Sequence, residues 1–251
     1  MEARALSIFE TKIADFKIED EPFYSDICSV VNRIPEQLDD DKNMAKVLGN
    51  TSSVSANQCR IKLHSNPTKD YEYEDDQWIS VREEVKSALN SAVRIYLEMH
   101  YTEKWILKKD LQLQDLWVVR YKEGDYQSYH THPYAVLSGV MFLEVPSQIH
   151  QTKNFPDGYL VYLNDGVYDE TTLRLNKCYF VKPDVGTLVI APASVGHMVY
   201  PYKGPGTRTI VSMNWSENIL WNFPPDKGTG KFTVSGPNSK LYELNEIGQA
   251  K

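Results

Sequence analysis

Trp117-Val-Val-Arg-Tyr-Lys-Glu-Gly-Asp-Tyr-Gln-Ser-Tyr-His-Thr-His132 is the stretch on which the reading of this chain turns. It ends in two imidazoles two residues apart, His130 and His132. On a β-strand, residues i and i+2 project from the same face, roughly 6.5–7 Å apart along the chain. Two imidazoles so placed can close on one metal ion. One strand cannot complete a site, so a further ligand comes from elsewhere. Of the six histidines in the chain, His197 has the most informative surroundings, Gly186-Thr-Leu-Val-Ile-Ala-Pro-Ala-Ser-Val-Gly-His197. His64, His100 and His150 lack such context and read as ordinary histidines. The expectation is one metal held by His130, His132 and His197 inside a β-barrel. Imidazoles suit iron, zinc, copper, nickel and manganese alike. Three ligands on one face leave positions open for substrate, water or dioxygen.

The flanking sequence agrees with a barrel. After residue 110 the apolar period is two: Leu111, Leu113, Trp117, Val119 and Tyr121 fall on one face, interrupted by Asp115. Further strands are predicted over 135–143, 158–163, 178–181, 187–191 and 207–215, with turn signals at 164–166 and 182–186. Strands at this spacing indicate an all-β sandwich or barrel. Ahead of them, residues 75–97 repeat apolar side chains at helical steps, Trp78, Val81, Val85, Ala88, Leu89, Ala92 and Tyr96, behind an Asp suited to capping. A shorter helix is predicted over 22–34, opened by Pro22 and closed by Pro35. Residues 1–20 read as a strand or two. Residues 36–76 are polar and aperiodic and read as long loops. The chain thus divides into a mixed, helical region over 1–109 packed on the barrel, a barrel core over 110–215, and an extension over 216–251, expected as one folded unit.

Composition narrows the function. With 251 residues and 41% hydrophobic content, the chain can bury a substantial core. The net charge is -7 and no Lys/Arg cluster appears, which argues against a nucleic-acid partner. No run approaches 18 consecutive apolar residues, and Met1-Glu-Ala-Arg-Ala-Leu has no secretory pattern, so neither a membrane span nor a signal peptide is expected. Three widely spaced cysteines form no disulfide or zinc framework and fit a reducing, cytoplasmic compartment. A homodimer is compatible with this composition.

Arg208 lies eleven residues after His197, in a predicted strand with Ile210, Ser212 and Asn214 on the same side. An arginine pointing into a barrel needs an anion, because an unpaired buried charge is costly. Its planar fork matches a carboxylate in two-point contact. The alternative is a rim arginine paired with an Asp or Glu.

At this point the residues carry a resemblance. Tyr121-x-x-Gly124 followed by His130-Thr-His132 resembles the Tyr-x-x-Gly…His-x-Asp segment of prolyl-hydroxylase-like Fe(II)/2-oxoglutarate oxygenases. His132-Pro…Leu-Ser-Gly-Val-Met-Phe-Leu143, Gly186-Thr-Leu-Val-Ile-Ala-Pro192, His197-Met-Val-Tyr-Pro-Tyr-Lys-Gly204 and Arg208-Thr-Ile-Val-Ser-Met-Asn214 resemble one branch more closely. That branch comprises the 2-oxoglutarate-Fe(II) oxygenases of bacteria and bacteriophages with a His-x-His-Pro…Ser-Gly-Val segment. The resemblance covers about residues 110–215. It implies a mainly β fold with N-terminal helices, a double-stranded β-helix or jelly-roll. It implies Fe(II) on His130, His132 and His197, and 2-oxoglutarate held by Arg208, with Tyr121, Ser212 and Asn214 around the cosubstrate. The implied enzyme is a dioxygenase hydroxylating an unidentified small molecule or peptide, with release of succinate and CO2.

Three positions depart from the family pattern. His132 stands where the carboxylate of the facial triad belongs, which removes one negative charge from the metal complex. Ile210 replaces a polar residue two positions after the arginine. Phe142 replaces a tyrosine whose hydroxyl meets the cosubstrate. Gly124-x5-His130-x-His132 and Gly186-x5-Pro192-x-Ser194-x2-His197 also resemble the two cupin motifs, without the cupin Glu after His132. Two alternatives therefore share the same ligands: a cupin-type three-His enzyme (dioxygenase or zinc hydrolase) without 2-oxoglutarate, and a non-catalytic metal-binding barrel.

Overall fold

The structure is a computed structural model. It describes residues 12–40, 42–44, 57–64, 71–101, 110–151, 155–163, 168–169, 174–175 and 178–217. Among these, the chain runs β1 (Ala14–Lys17), α1 (Pro22–Val31), β2 (Asn57–Ile61), β3 (Glu72–Tyr73) and α2 (Asp76–His100). It continues through β4 (Leu111–Tyr121), β5 (Gln127–His130), β6 (Leu137–Glu144), α3 (Ser147–Gln151), β7 (Leu160–Leu163), β8 (Tyr168–Asp169) and β9 (Arg174–Leu175). The last elements are β10 (Cys178–Val181), β11 (Thr187–Pro192), β12 (Gly196–Val199) and β13 (Arg208–Glu217). Two sheets face each other: a seven-stranded one in the order β1-β11-β6-β13-β4-β2-β3, and a four-stranded one in the order β10-β7-β12-β5. Strand pairing among the described residues is antiparallel, apart from β2 with β3. This is the double-stranded β-helix that the resemblance implies, one form of the sandwich or barrel that the strand spacing predicts. No helix among the described residues is long and apolar enough to cross a membrane.

The large sheet is buried on both faces, and alternation along β13 shows how. Val211, Met213 and Trp215 turn outward to a core shared with Trp78, Val85, Leu89 and Tyr96 of α2. Ile210 turns inward with Val119, Tyr121, Val140, Phe142 and Leu160, into the barrel. The helix α2 begins where Asp75 accepts a hydrogen bond from the Trp78 N–H at 2.7 Å, satisfying one of the free donors of the first turn. At Gly139 on β6 the outward face has no room for a side chain. A Cβ there meets Trp215 Cζ3 at 2.8 Å, and Trp215 is wholly buried. Gly139→Ala is therefore expected to destabilise the protein by about 1–3 kcal/mol through overpacking. That exceeds the roughly 0.4–1 kcal/mol that alanine returns by restricting the unfolded chain. A lower denaturation midpoint checks this; an unchanged one counts against it.

Two expectations are corrected here. The predicted single face of Leu111, Leu113, Trp117, Val119 and Tyr121 is broken by a bulge. Asn214 pairs with Asp115 and Trp215 with Leu113, so Gln114 is an extra residue. One added residue reverses the side on which the following residues project. Leu111 and Leu113 consequently face the helices, while Val119 and Tyr121 face the barrel. The stretch 36–76 is also more than loop. Cys59, Ile61 and Leu63 alternate on the buried face, and β2 pairs with β4 along Asn57–Arg60. The predicted turn at 164–166 and the tail beyond 217 lie outside the described residues.

Candidate metal centre

Three strands of the small sheet set the site. His197, in the middle of β12, is the register partner of His130 on β5 and of Tyr162 on β7. The turn from β4 into β5 carries Gly124 at φ +82°, a left-handed conformation that glycine adopts without strain. Asp125 closes that turn by accepting from the Lys122 N–H at 2.7 Å. His132 lies just past the end of β5, which stops at His130. Its backbone N–H donates to the Ala193 carbonyl at 2.9 Å, pinning this loop to the turn before β12. Pro133 follows directly, and a residue before proline stays extended. Side-chain direction is thus kept although the ladder has ended.

The three imidazoles converge. Their ligand nitrogens all lie within 4.8 Å of one another, and His132 Nε2 is 3.2 Å from His197 Nε2. His130 Nδ1 lies 2.8 Å from the Ser128 carbonyl, and His197 Nδ1 lies 3.0 Å from the Val195 carbonyl. Each carbonyl accepts a hydrogen bond from Nδ1–H and so leaves Nε2 a free lone pair, the form a metal requires. Burial, joined by the charges of the neighbouring imidazoles, pushes His132 down to about 3 and His197 down to about 4. Burial lowers His130 as well. All three are neutral ligands at neutral pH. Trp117 stacks on His132 at 5.9 Å between centroids. The group contains no carboxylate, so the donor set is three imidazoles.

The second half of the site is Arg208, at 1% exposure among the most buried side chains of the chain. It pairs in register with Tyr121, whose ring lies against the guanidinium at 4.3 Å. Nη1 donates to the Gly158 carbonyl, while Nε and Nη2 are buried without a hydrogen-bond partner. A ring covers the face of a guanidinium and leaves its edge free for a two-point carboxylate contact. Burial pulls the Arg208 pKa below its ordinary value and raises Tyr121 to about 12, so Tyr121 keeps its proton. No Asp or Glu salt bridge to Arg208 is present among the described residues, against the rim-arginine alternative.

Between the imidazoles and Tyr121 lies a cavity of about 400 Å³, lined by His130, His132, His197, Tyr121, Ser212 and Asn214 among others. Arg208 itself does not line it, and Tyr121 does. Met44 and Gln58 reach this cavity from the stretch predicted as loops, and Asp115 and Trp117 reach it from β4. The sequence reading missed these four as site residues. The alternation at Cys59, Ile61 and Leu63 signals the strand that delivers Gln58; no comparable signal marks Met44. Phe142 and Ile210 are buried in the barrel core, and neither offers a polar group to a cosubstrate. The residues present fit the family's two groups: three free imidazole nitrogens suit a metal, and two orphaned N–H groups suit a carboxylate.

A family model described as "Putative 2OG-Fe(II) oxygenase" matches residues 115–214. No curated protein matches the chain. Among solved structures, the chain is similar to the non-heme alpha ketoglutarate dependent epimerase SnoN from nogalamycin biosynthesis. That match has 10% identity, 87% of each chain covered and a TM-score of 0.50, and it is a likeness of fold. An oxidoreductase of the 2OG-Fe(II) oxygenase family from Burkholderia pseudomallei matches with 15% identity, 76% of this chain and 77% of that one covered, and a TM-score of 0.47. A prolyl-4-hydroxylase from Pseudomonas putida matches with 12% identity, 83% and 94% covered, and a TM-score of 0.46. Over residues 115–214 the chain is thus similar to the 2OG-Fe(II) oxygenases, a family that uses Fe(II) and 2-oxoglutarate, and its three convergent imidazoles suit that metal.

Proposed function

We propose that this chain is a hydroxylase of an unreactive C–H bond, with Fe(II) on His130, His132 and His197 and the distal carboxylate of 2-oxoglutarate on Arg208. The observation that carries this reading is the pair of buried, unpartnered N–H groups on Arg208, in the same barrel as three convergent imidazoles. Bound iron supplies dioxygen activation coupled to decarboxylation of 2-oxoglutarate to succinate and CO2. The chain supplies position and exclusion of water. Arg208 orients the cosubstrate through its free edge, and the Tyr121 ring holds that edge in place. Val119, Val140, Val199 and Ile210 line the cavity with apolar surface. Ser212 offers the cosubstrate a hydroxyl.

The substrate side of the cavity is bounded by Met44, Gln58, Trp117, Thr131 and Tyr134. A small molecule or a peptide side chain fits its volume. The same proposal treats 110–215 as the catalytic core, with 1–109 packed on it and 216–251 as an extension. Pairing of β1 with β11 and of β2 with β4 supports the packing of 1–109 on that core as one folded unit. A cytoplasmic, reducing compartment is part of the reading, supported by the free thiols of Cys28, Cys59 and Cys178.

The test is anaerobic loading with Fe(II) followed by 2-oxoglutarate. A weak visible charge-transfer band on adding the cosubstrate is the expected result. Bound iron with no such band would shift the reading to a three-His enzyme of cupin type that does not use 2-oxoglutarate.

A further inference from the structure

His132 differs from the other two imidazoles in what holds it. His130 and His197 each set an Nδ1 against a backbone carbonyl two residues earlier in the chain. His132 has no such carbonyl among the described residues. Its Nε2 faces His197 Nε2, so Nδ1 is the nitrogen that must be oriented by something else. Trp117 stacks on one face of this ring, and Asn214 on β13 lines the same cavity close enough to act on it. Asn214 Oδ1 is buried and has no hydrogen-bond partner. Its Nδ2 donates to Asp115 Oδ2 at 3.2 Å, and the two residues are register partners across β13 and β4. Asp115 Oδ1 accepts from Arg60 Nη2.

These contacts form a chain whose polarity is fixed at both ends. A guanidinium only donates and a carboxylate only accepts. Asp115 must therefore receive the NH2 end of Asn214, and the oxygen end is left to face His132. An amide so oriented accepts a hydrogen bond from Nδ1–H and directs Nε2 to the metal. We propose that Asn214 is the positioning residue for His132, and that Asp115, held by Arg60, fixes which way Asn214 faces. This inference rests on the three-His metal reading. Among the described residues, Asp115 is also the only Asp or Glu that lines the cavity. The carboxylate missing from the ligand set thus stands two hydrogen-bonded links behind it.

Cobalt(II) is the probe, because it fills imidazole sites, absorbs in the visible and shifts nearby proton resonances. The parent protein is expected to show three shifted exchangeable protons, one per Nδ1–H. Asn214→Leu is expected to lose one of them and to bind cobalt about 10–100-fold more weakly, the range for removing such a supporting partner. Asp115→Asn is expected to do the same with almost no change in shape. Its oxygen goes to Arg60, its NH2 turns to Asn214, and Asn214 must then turn its own NH2 to His132. The double variant Asn214→Asp with Asp115→Asn keeps an acceptor beside His132 and an NH2 that donates to it, and is expected to retain all three protons. A role confined to packing predicts normal spectra for the isosteric Asp115→Asn. Three protons and parent-like affinity in both Asn214→Leu and Asp115→Asn overturn the proposal alone. Absence of cobalt binding by the parent overturns the metal site and the proposal together.

Discussion

Arg208→Met will weaken 2-oxoglutarate binding by about two to four orders of magnitude and change folding stability little. A charge-assisted hydrogen bond contributes about 1.5–3 kcal/mol. Two are available at Nε and Nη2, and each 1.4 kcal/mol is a factor of ten in affinity. Stability is held by opposing effects. Removing a buried guanidinium with two unsatisfied N–H groups relieves a desolvation cost. Against this, the Gly158 carbonyl loses its Arg208 donor, and Asp125, buried to 1% exposure, loses a nearby positive charge. The net change is expected within about 2 kcal/mol, of the order of one lost hydrogen bond. Calorimetric titration with 2-oxoglutarate on metal-loaded protein, beside a denaturation curve of each metal-free form, reads both quantities. Parent-like cosubstrate affinity in the variant would remove Arg208 from the site. A collapse of stability with affinity per folded molecule intact would make it a structural residue.

Most of the barrel was legible because its strands are short, apolar and bounded by turns. The 75–97 helix was legible because its apolar residues recur at three and four. What stayed hidden depended on pairing rather than on pattern. The bulge at Gln114 cannot be seen in β4 alone, since an alternating run looks the same until its partner shows the skipped residue. That single residue decides that Asp115 and Trp117 join the cavity and that Leu113 joins the helix-facing core. The stretch around Gln58 reads as loop because its surroundings are polar, although Cys59, Ile61 and Leu63 alternate. The two-residue spacing of His130 and His132 picks out two side chains that the structure brings together with His197, but by an incomplete route. The ladder ends at His130, and His132 owes its place to the Ala193 carbonyl and to Pro133. Arg208 was legible in chemistry but not in detail. The sequence shows a cation in a barrel strand; only packing shows that two of its nitrogens are left without partners.

His197→Ala is expected to abolish metal-dependent stabilisation while the protein still folds. His197 sits between two neighbouring strands, with Tyr162 on one side and His130 on the other. Those ladders are built from backbone groups that alanine retains. The imidazole itself is the one whose Nε2 closes on His132 Nε2. Without it, two ligands remain. Loss of a mere supporting partner already costs about 10–100-fold in metal affinity, so loss of a ligand is expected to exceed about 100-fold. The consequence for stability follows from mass action. At a free metal concentration 100 times the parent Kd, the parent gains about 2.7 kcal/mol. At the same concentration a variant weakened 100-fold is only half saturated and gains about 0.4 kcal/mol. His150→Ala is the matched control, because His150 lies outside the cluster, beside Asp184 at 3.7 Å. Thermal melts of parent, His197→Ala and His150→Ala, each with and without cobalt(II), read the difference. A metal-dependent rise that survives in His197→Ala, at the parent's concentration dependence, would place the ion somewhere other than these three histidines.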